Sequence, residues 1–229
     1  TSTAEGAGIR YFSPRAEVAF CGHATIATAV AHADRHGVGR LDLATQAGPV
    51  PVVTTREDDQ ILATLTSVAP SVQELSGPIL DRTLAALGWP AGDLDDTLPP
   101  VVAFAGNHHP VIAASTRARL AALDYDYDAL DQIMAEHEWT TMQLVFRERD
   151  DVFHARDPFP PGGVVEDPAT GAAAAALGGY LRAFGLVPQS RRVSVHQGYD
   201  MGRPSLLRVD IPVGDGGISV GGTATRLSG

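Results

Sequence analysis

The sequence predicts an α+β protein of two pseudo-symmetric lobes, each a strongly bent, mostly antiparallel sheet wrapped around a central helix. Three observations predict it. Two stretches of the chain resemble each other at a fixed offset. Each contains a helix so rich in Ala, Gly and Thr that it reads as buried on nearly every side, with other backbone packed close. Around both lie short runs of alternating or β-branched residues, the pattern of strands.

The first stretch opens with Ile9-Arg10-Tyr11-Phe12-Ser13-Pro14 and, after a loop, Cys21-Gly22-His23-Ala24-Thr25. A helix is expected over Ala24 to Arg35, stopped by Gly37-Val38, because glycine just past a helix end takes the left-handed turn. Strands are expected at Leu41 to Gln46, Val50 to Thr55 and Gln60 to Ser67, then an outer helix at Gly77 to Leu87. Asp-Asp and Pro-Pro punctuate Asp95 to Pro100, which places the lobe boundary there and gives lobes of 1–97 and 98–229.

In the second lobe, strands are expected at Pro100 to Ala105, Val111 to Ala114 and Met142 to Arg147, a turn at His108-His109 after Gly106-Asn107, and an outer helix at Asp126 to Glu136. The second resembling stretch begins at His154-Ala155-Arg156-Asp157-Pro158-Phe159-Pro160 and continues, after a loop, with Glu166-Asp167-Pro168-Ala169-Thr170-Gly171-Ala172. Its helix, Ala172 to Phe184, stops at Gly185-Leu186. Strands follow at Arg192 to Gln197, Leu206 to Ile211 and Gly217 to Thr223, with Gly221-Gly222 serving to bend the last one. With His23 set against Gly171, the terminal glycines coincide, fourteen residues on in each copy. Both helices lead into a strand and a Gln-Gly turn, Gln46 with Gly48 and Gln197 with Gly198. We read the repeat as an ancient duplication.

Composition narrows the chemistry. Of 229 residues, 44% are hydrophobic and 19% charged, the profile of an ordinary soluble globular protein. A formal net charge of −10 argues against a nucleic-acid partner, which needs a basic face, and leaves a small substrate open. The one cysteine, Cys21, permits no internal disulfide and fits a reducing, cytoplasmic setting. No run approaches the roughly 18 apolar residues of a membrane span, and no signal peptide opens the chain. The chain starts at Thr1 rather than Met, in a polar loop, and the expectation is that an N-terminal piece belongs before it.

The chemistry is expected at the N-termini of the two small helices. Free backbone N–H groups and the positive end of the helix dipole make each a ready anion site. The amides of Gly22, His23, Gly171 and Ala172 are the candidates for holding a carboxylate. Asp167 and His23 lie at equivalent ends of the repeat. Read singly, Asp167 before Pro168 is the usual helix N-cap, and a lone His23 is a structural histidine. His32 and His36 have metal-ligand spacing, but no third ligand accompanies them, so no metal is expected. There is no G-x-S-x-G elbow, phosphate loop or dinucleotide fingerprint.

The chain resembles the phenazine-biosynthesis isomerase family (the PhzF-like proteins), which shares the diaminopimelate epimerase fold. The resemblance rests on Tyr11-Phe12-Ser13-Pro14, Glu17-Val18, Cys21-Gly22-His23-Ala24-Thr25, Gly162-Gly163-Val164-Val165-Glu166-Asp167-Pro168-Ala169-Thr170-Gly171, Gln197-Gly198, Met201-Gly202-Arg203-Pro204-Ser205 and Val220-Gly221-Gly222. It implies acid/base chemistry without a cofactor on a small carboxylate substrate held between the lobes, and often a homodimer. In the phenazine pathway enzyme that chemistry is a double-bond shift in a dihydro-hydroxyanthranilate. His23 and Asp167 fall on family active-site positions. The family's serine after Thr-Gly is Ala172 here, so one hydroxyl contact is absent while the amide remains. The family's proton-shuttling glutamate, in a Ser-Glu-Thr-like segment upstream, has no match. Glu5 is too close to His23 in sequence. The expectation is a first lobe lacking its opening strands and a polypeptide that binds substrate with little turnover.

Two other readings stand beside this one. The first is a non-catalytic relative that binds a small carboxylate. The second is an epimerase or dehydratase dependent on Cys21, which matches the first thiol of diaminopimelate epimerase. The second lobe has no cysteine, so two-thiol racemisation is ruled out.

Overall fold

The computed structural model describes residues 7–12, 17–18, 21–46, 48–186 and 191–225; Glu5, Ser13 and Pro14 lie outside them. Strands Ala7–Gly8 (β1), Tyr11–Phe12 (β2) and Glu17–Val18 (β3) precede helix Gly22–His36 (α1). Arg40–Thr45 (β4), Gly48–Glu57 (β5) and Gln60–Thr66 (β6) follow as an antiparallel meander. Next come Ser71–Glu74 (β7), Gly77–Leu87 (α2), Val101–Phe104 (β8), His108–Ala113 (β9), Arg117–Ala121 (α3) and Tyr127–Glu136 (α4). The chain continues through Gln143–Arg149 (β10), Val152–Pro158 (β11), Glu166–Asp167 (β12), Gly171–Ala183 (α5), Arg191–Gln197 (β13), Ser205–Ile211 (β14) and Ser219–Gly222 (β15).

The duplication is visible as topology. In the first lobe β1 pairs parallel with β4 across α1, and β4 turns back antiparallel onto β5. In the second, β11 pairs parallel with β13 across α5, and β13 turns back onto β14. The α+β fold with a mostly antiparallel sheet is therefore as the sequence predicts. The two sheets are joined, however. β15 pairs antiparallel with β6, Ser219 opposite Thr66 and Gly222 opposite Ala63, so one hydrogen-bonded path runs through both lobes. The hydroxyls of Thr66 and Ser219 meet across the seam at 2.9 Å.

Packing groups the chain differently from the Asp95–Pro100 punctuation. β7 pairs with β8, and Leu75, Leu84, Leu87 and Trp89 share one core with Ile112, Leu130 and Leu144. The core around α1 draws on Ala29, Val30, Ala33, Leu43, Val52, Ile61 and Ala63.

The two central helices differ in burial. In α5 every residue from Ala173 to Leu181 is buried, among them Leu177, Tyr180 and Leu181. Burial of a large apolar side chain contributes about 1.5–3 kcal/mol, so α5 is the keystone of the larger core. In α1 only Thr25, Ala29, Val30 and Ala33 are buried, while Ala27, Thr28 and Ala31 are exposed. The expectation of a helix buried all round holds for α5 and not for the described α1. Among the described residues, no helix is long and apolar enough to cross a membrane.

Two smaller expectations change. His108-His109 is not a turn; the reversal is made by Gly106 at φ 115°, and both histidines open β9. His109 is fully buried with its Nδ1 2.9 Å from the Thr141 hydroxyl, and burial pushes its pKa down to about 4. At Gly221 a side chain would meet Thr64 Oγ1 at 3.2 Å, so this glycine serves close approach of β6 and β15.

Candidate active site

The N-termini of α1 and α5 come together, with His23 on the first and Asp167 on β12, just ahead of the second. His23 is the second residue of α1. That helix start is fixed by Thr25, whose hydroxyl donates to the Cys21 carbonyl at 2.7 Å and lies 2.5 Å from the Tyr11 hydroxyl on β2. Asp167 lies on β12, opposite Asp157 of β11. It is not the cap of α5: Thr170 holds that position, and the Thr170 hydroxyl donates to Asp167 Oδ2 at 2.7 Å. The other oxygen, Oδ1, faces His23 Nδ1 at 3.6 Å. That distance is an ion pair rather than a hydrogen bond.

Electrostatics give the pair defined charges. The His23 imidazole is pushed up to about 9, first by contact with the Cys21 sulfur, with burial opposing, and then by the Asp167 carboxylate. The sulfur lies 3.6 Å from both ring nitrogens. At that distance either nitrogen can share a weak hydrogen bond with the sulfur. The site therefore sets a histidine that holds its proton into the alkaline range beside an acidic side chain, within one contact distance. Among the described residues, no three His, Cys, Asp or Glu side chains gather as metal ligands do.

Asp167 is held from three sides. The Gln197 side-chain amide donates to the Asp167 carbonyl at 2.8 Å and to Thr170 Oγ1 at 3.0 Å, while its oxygen accepts the Thr170 N–H at 3.0 Å. Gly198 follows at φ 78°, and a Cβ there would sit 2.2 Å from the Arg203 carbonyl and 2.9 Å from that of Pro168. Only glycine fits, which is the physical content of the Gln-Gly pair. One residue upstream, Glu166 makes a buried ion pair with Arg156, Nη2 to Oε2 at 2.5 Å. Breaking such a pair from one side costs about 3–5 kcal/mol, so β12 is firmly anchored.

The helices' own bonding starts with Thr25 N–H to the Cys21 carbonyl and Ala174 N–H to the Thr170 carbonyl. Gly22, His23, Gly171 and Ala172 therefore have amides with no acceptor inside their helices. Two surface concavities of about 210 and 350 Å³ open elsewhere, one beside Glu57 and Arg208 and one beside Pro70 and Arg182, and neither is lined by His23 or Asp167. The sequence did not expose the parts played by Thr170, Gln197 and Asp157. One signal was available: in both β11 and β13 an inward apolar series, Phe153 and Ala155 or Val193 and Val195, ends on an inward polar residue, Asp157 or Gln197.

A family profile described as phenazine biosynthesis-like protein matches residues 1–229. The chain is 33% identical over 202 residues to trans-2,3-dihydro-3-hydroxyanthranilate isomerase of Pseudomonas aeruginosa, covering 87% of this chain and 68% of that one. Its fold matches a phenazine biosynthesis protein of Bacillus anthracis with a TM-score of 0.83 at 22% identity, covering 99% of this chain and 81% of that one. A probable proline racemase of Agrobacterium radiobacter, with bound carbonate, matches at a TM-score of 0.68 and 15% identity, covering 100% and 74%.

Proposed function

The chain belongs to the phenazine biosynthesis-like protein family, and on that premise we propose that it is a cofactor-independent isomerase that shifts a proton, and with it a double bond, on a small carboxylate substrate. The substrate carboxylate rests on the two helix starts, against the amides of Gly22, His23, Gly171 and Ala172. Each start contributes about 0.3–1 kcal/mol toward an anion. Asp167 and His23 are the catalytic pair, orienting the substrate and stabilising the charge that develops as the proton moves. The substrate named for the Pseudomonas relative, a ring bearing a carboxylate, is of the right class. The reading includes a cytoplasmic homodimer, as the family resemblance implies.

The observation that carries this reading is the 3.6 Å meeting of His23 Nδ1 and Asp167 Oδ1 where two helix N-termini converge. Deuterium uptake from D₂O into trans-2,3-dihydro-3-hydroxyanthranilate tests it. The parent exchanges, and Asp167→Asn lowers the rate by about 10²–10³-fold, the loss of one charge-stabilising group. Equal exchange in both contradicts the role of Asp167. A parent that binds and exchanges nothing is instead a carboxylate binder. A second reading, in which Cys21 takes the proton, is favoured by its sulfur lying 3.6 Å from both His23 nitrogens. Alkylation of Cys21 that leaves exchange intact excludes it.

A further inference from the structure

One outer segment reaches the strand of Asp167 by contacts that the proposed chemistry does not use. It runs from the start of α3 to the first residue of α4, positions 117–127. The Tyr125 hydroxyl donates to the Val165 carbonyl at 2.5 Å. Glu166 comes next, and its partner Arg156 donates from Nη1 to the Ala121 carbonyl at 3.0 Å. Asp167 follows directly. Its own carbonyl is held by Gln197, and the turn after Gln197 carries Asp200. Arg117 donates from Nη2 to both Asp200 oxygens, at 2.8 and 2.9 Å. One segment thus reaches Val165 directly, Glu166 through Arg156, and the Gln197 turn through Asp200.

The segment is itself fixed from elsewhere. Thr116 caps α3 by accepting the Arg119 N–H, and Asp126 caps α4. The Asp126 N–H donates to the Ala86 carbonyl of α2, and Leu120 and Leu130 are fully buried in the core they share with Leu87 and Ile112. The chain from Phe159 to Val165 is tied to itself by longer bonds. Phe159 N–H meets the Val165 carbonyl at 3.3 Å, and Val164 N–H meets the Phe159 carbonyl at 3.4 Å. Both lie beyond the usual range for N–H donors, so Tyr125 makes the closer bond to Val165. Burial pushes the Tyr125 phenol pKa up, so its proton stays on the oxygen and the bond keeps its direction. The His23–Asp167 contact crosses from one lobe to the other at 3.6 Å. A misplacement of about 1 Å in such a contact costs about 10²-fold in rate.

We propose that Tyr125 is a positioning residue for the site: its hydroxyl, with the Arg117–Asp200 pair as a second hold, clamps β12 so that Asp167 meets His23. The inference rests on the reading of Asp167 given above. Tyr125 has no contact with substrate and no proton to transfer. It acts through the Val165 carbonyl, two residues ahead of Asp167.

Tyr125→Phe removes the hydroxyl and keeps the ring that stacks on Tyr127. In deuterium exchange it lowers kcat about tenfold and leaves KM within about twofold, because the helix starts still hold the carboxylate. The His23 imidazole titration gives a second readout. Its midpoint moves down in Tyr125→Phe, toward that of Asp167→Asn, because the nearby Asp167 charge is one of the causes that raise it. A merely structural tyrosine lowers the thermal midpoint and leaves kcat and the His23 midpoint of the folded protein where they were. That result overturns the inference. Should Tyr125→Phe fail to fold, Arg117→Gln releases the Asp200 hold and is read in the same two ways, with Arg117→Lys restoring both. If the parent exchanges nothing, yet the His23 midpoint falls in Tyr125→Phe, the isomerase reading fails and the clamp stands. If Asp167→Asn slows exchange while Tyr125→Phe moves neither readout, the clamp fails and the isomerase reading stands.

Discussion

His23 keeps its proton into the alkaline range because a sulfur and a carboxylate both face its ring. Its folded pKa, about 9, is above the roughly 6.5 of a free imidazole. The stability this contributes is therefore fully present below pH 6.5 and is lost as pH rises through 9. The side chain is half exposed, so the energy is modest, but the titration is readable. Imidazole NMR should place the midpoint near 9 in the parent, lower it most in Cys21→Ala, and lower it less in Asp167→Asn. A midpoint that ignores both substitutions contradicts the assigned causes. The His23 and Asp167 motifs were legible in the sequence, because the repeat brings each next to the start of one small helix. Thr170 and Gln197 were not legible as a network around Asp167. Their bonds join β12, α5 and β13, and no local spacing encodes which side chains meet across a sheet. The reading of Asp167 as a cap failed for the same reason: Thr170 takes that position, and Gln197 fixes it there.

At the scale of elements, α5 shows why small residues were chosen. At Gly178 an added Cβ would sit 2.8 Å from Ile218 and 2.9 Å from Val209; at Gly179 it would sit 2.4 Å from Pro70. Sheet and loop thus press on the helix from two sides. Helix propensity alone favours Ala over Gly by about 1 kcal/mol. Overpacking opposes it by about 1–3 kcal/mol. Gly179→Ala should therefore lower the thermal midpoint, and a midpoint that rises means Pro70 moves aside freely. Elements with local punctuation were readable from sequence. The bounds of α2 follow from Ser76, Pro78 and the left-handed Gly88, and Asp126 caps α4 by accepting the Ala129 N–H. Those lacking it were not. β7 is four residues with little inward signal, and in β11 the outward His154 and Arg156 and the inward Asp157 obscure the alternation.

For the whole molecule, duplication brings two like helix ends to one place, and the site belongs to neither lobe alone. That pairing was legible from the offset between Cys21-Gly22-His23 and Thr170-Gly171-Ala172. The continuous sheet was not, because β6 and β15 meet from opposite ends of the chain, with hydroxyls 153 residues apart in sequence. Its seam lies close to the site: a Cβ added at Gly171 would meet Val220 of β15 at 3.9 Å, and one at Gly222 would meet Ile26 of α1 at 3.6 Å. On the proposed reading, both helix starts hold one carboxylate. Amide NMR with added 2-aminobenzoate, a carboxylate of the substrate class that lacks its reactive ring, tests it most directly. The amides of Gly22, His23, Gly171 and Ala172 should shift together along one saturation curve. Shifts confined to one helix start, or centred on the concavity beside Glu57 and Arg208, would contradict it.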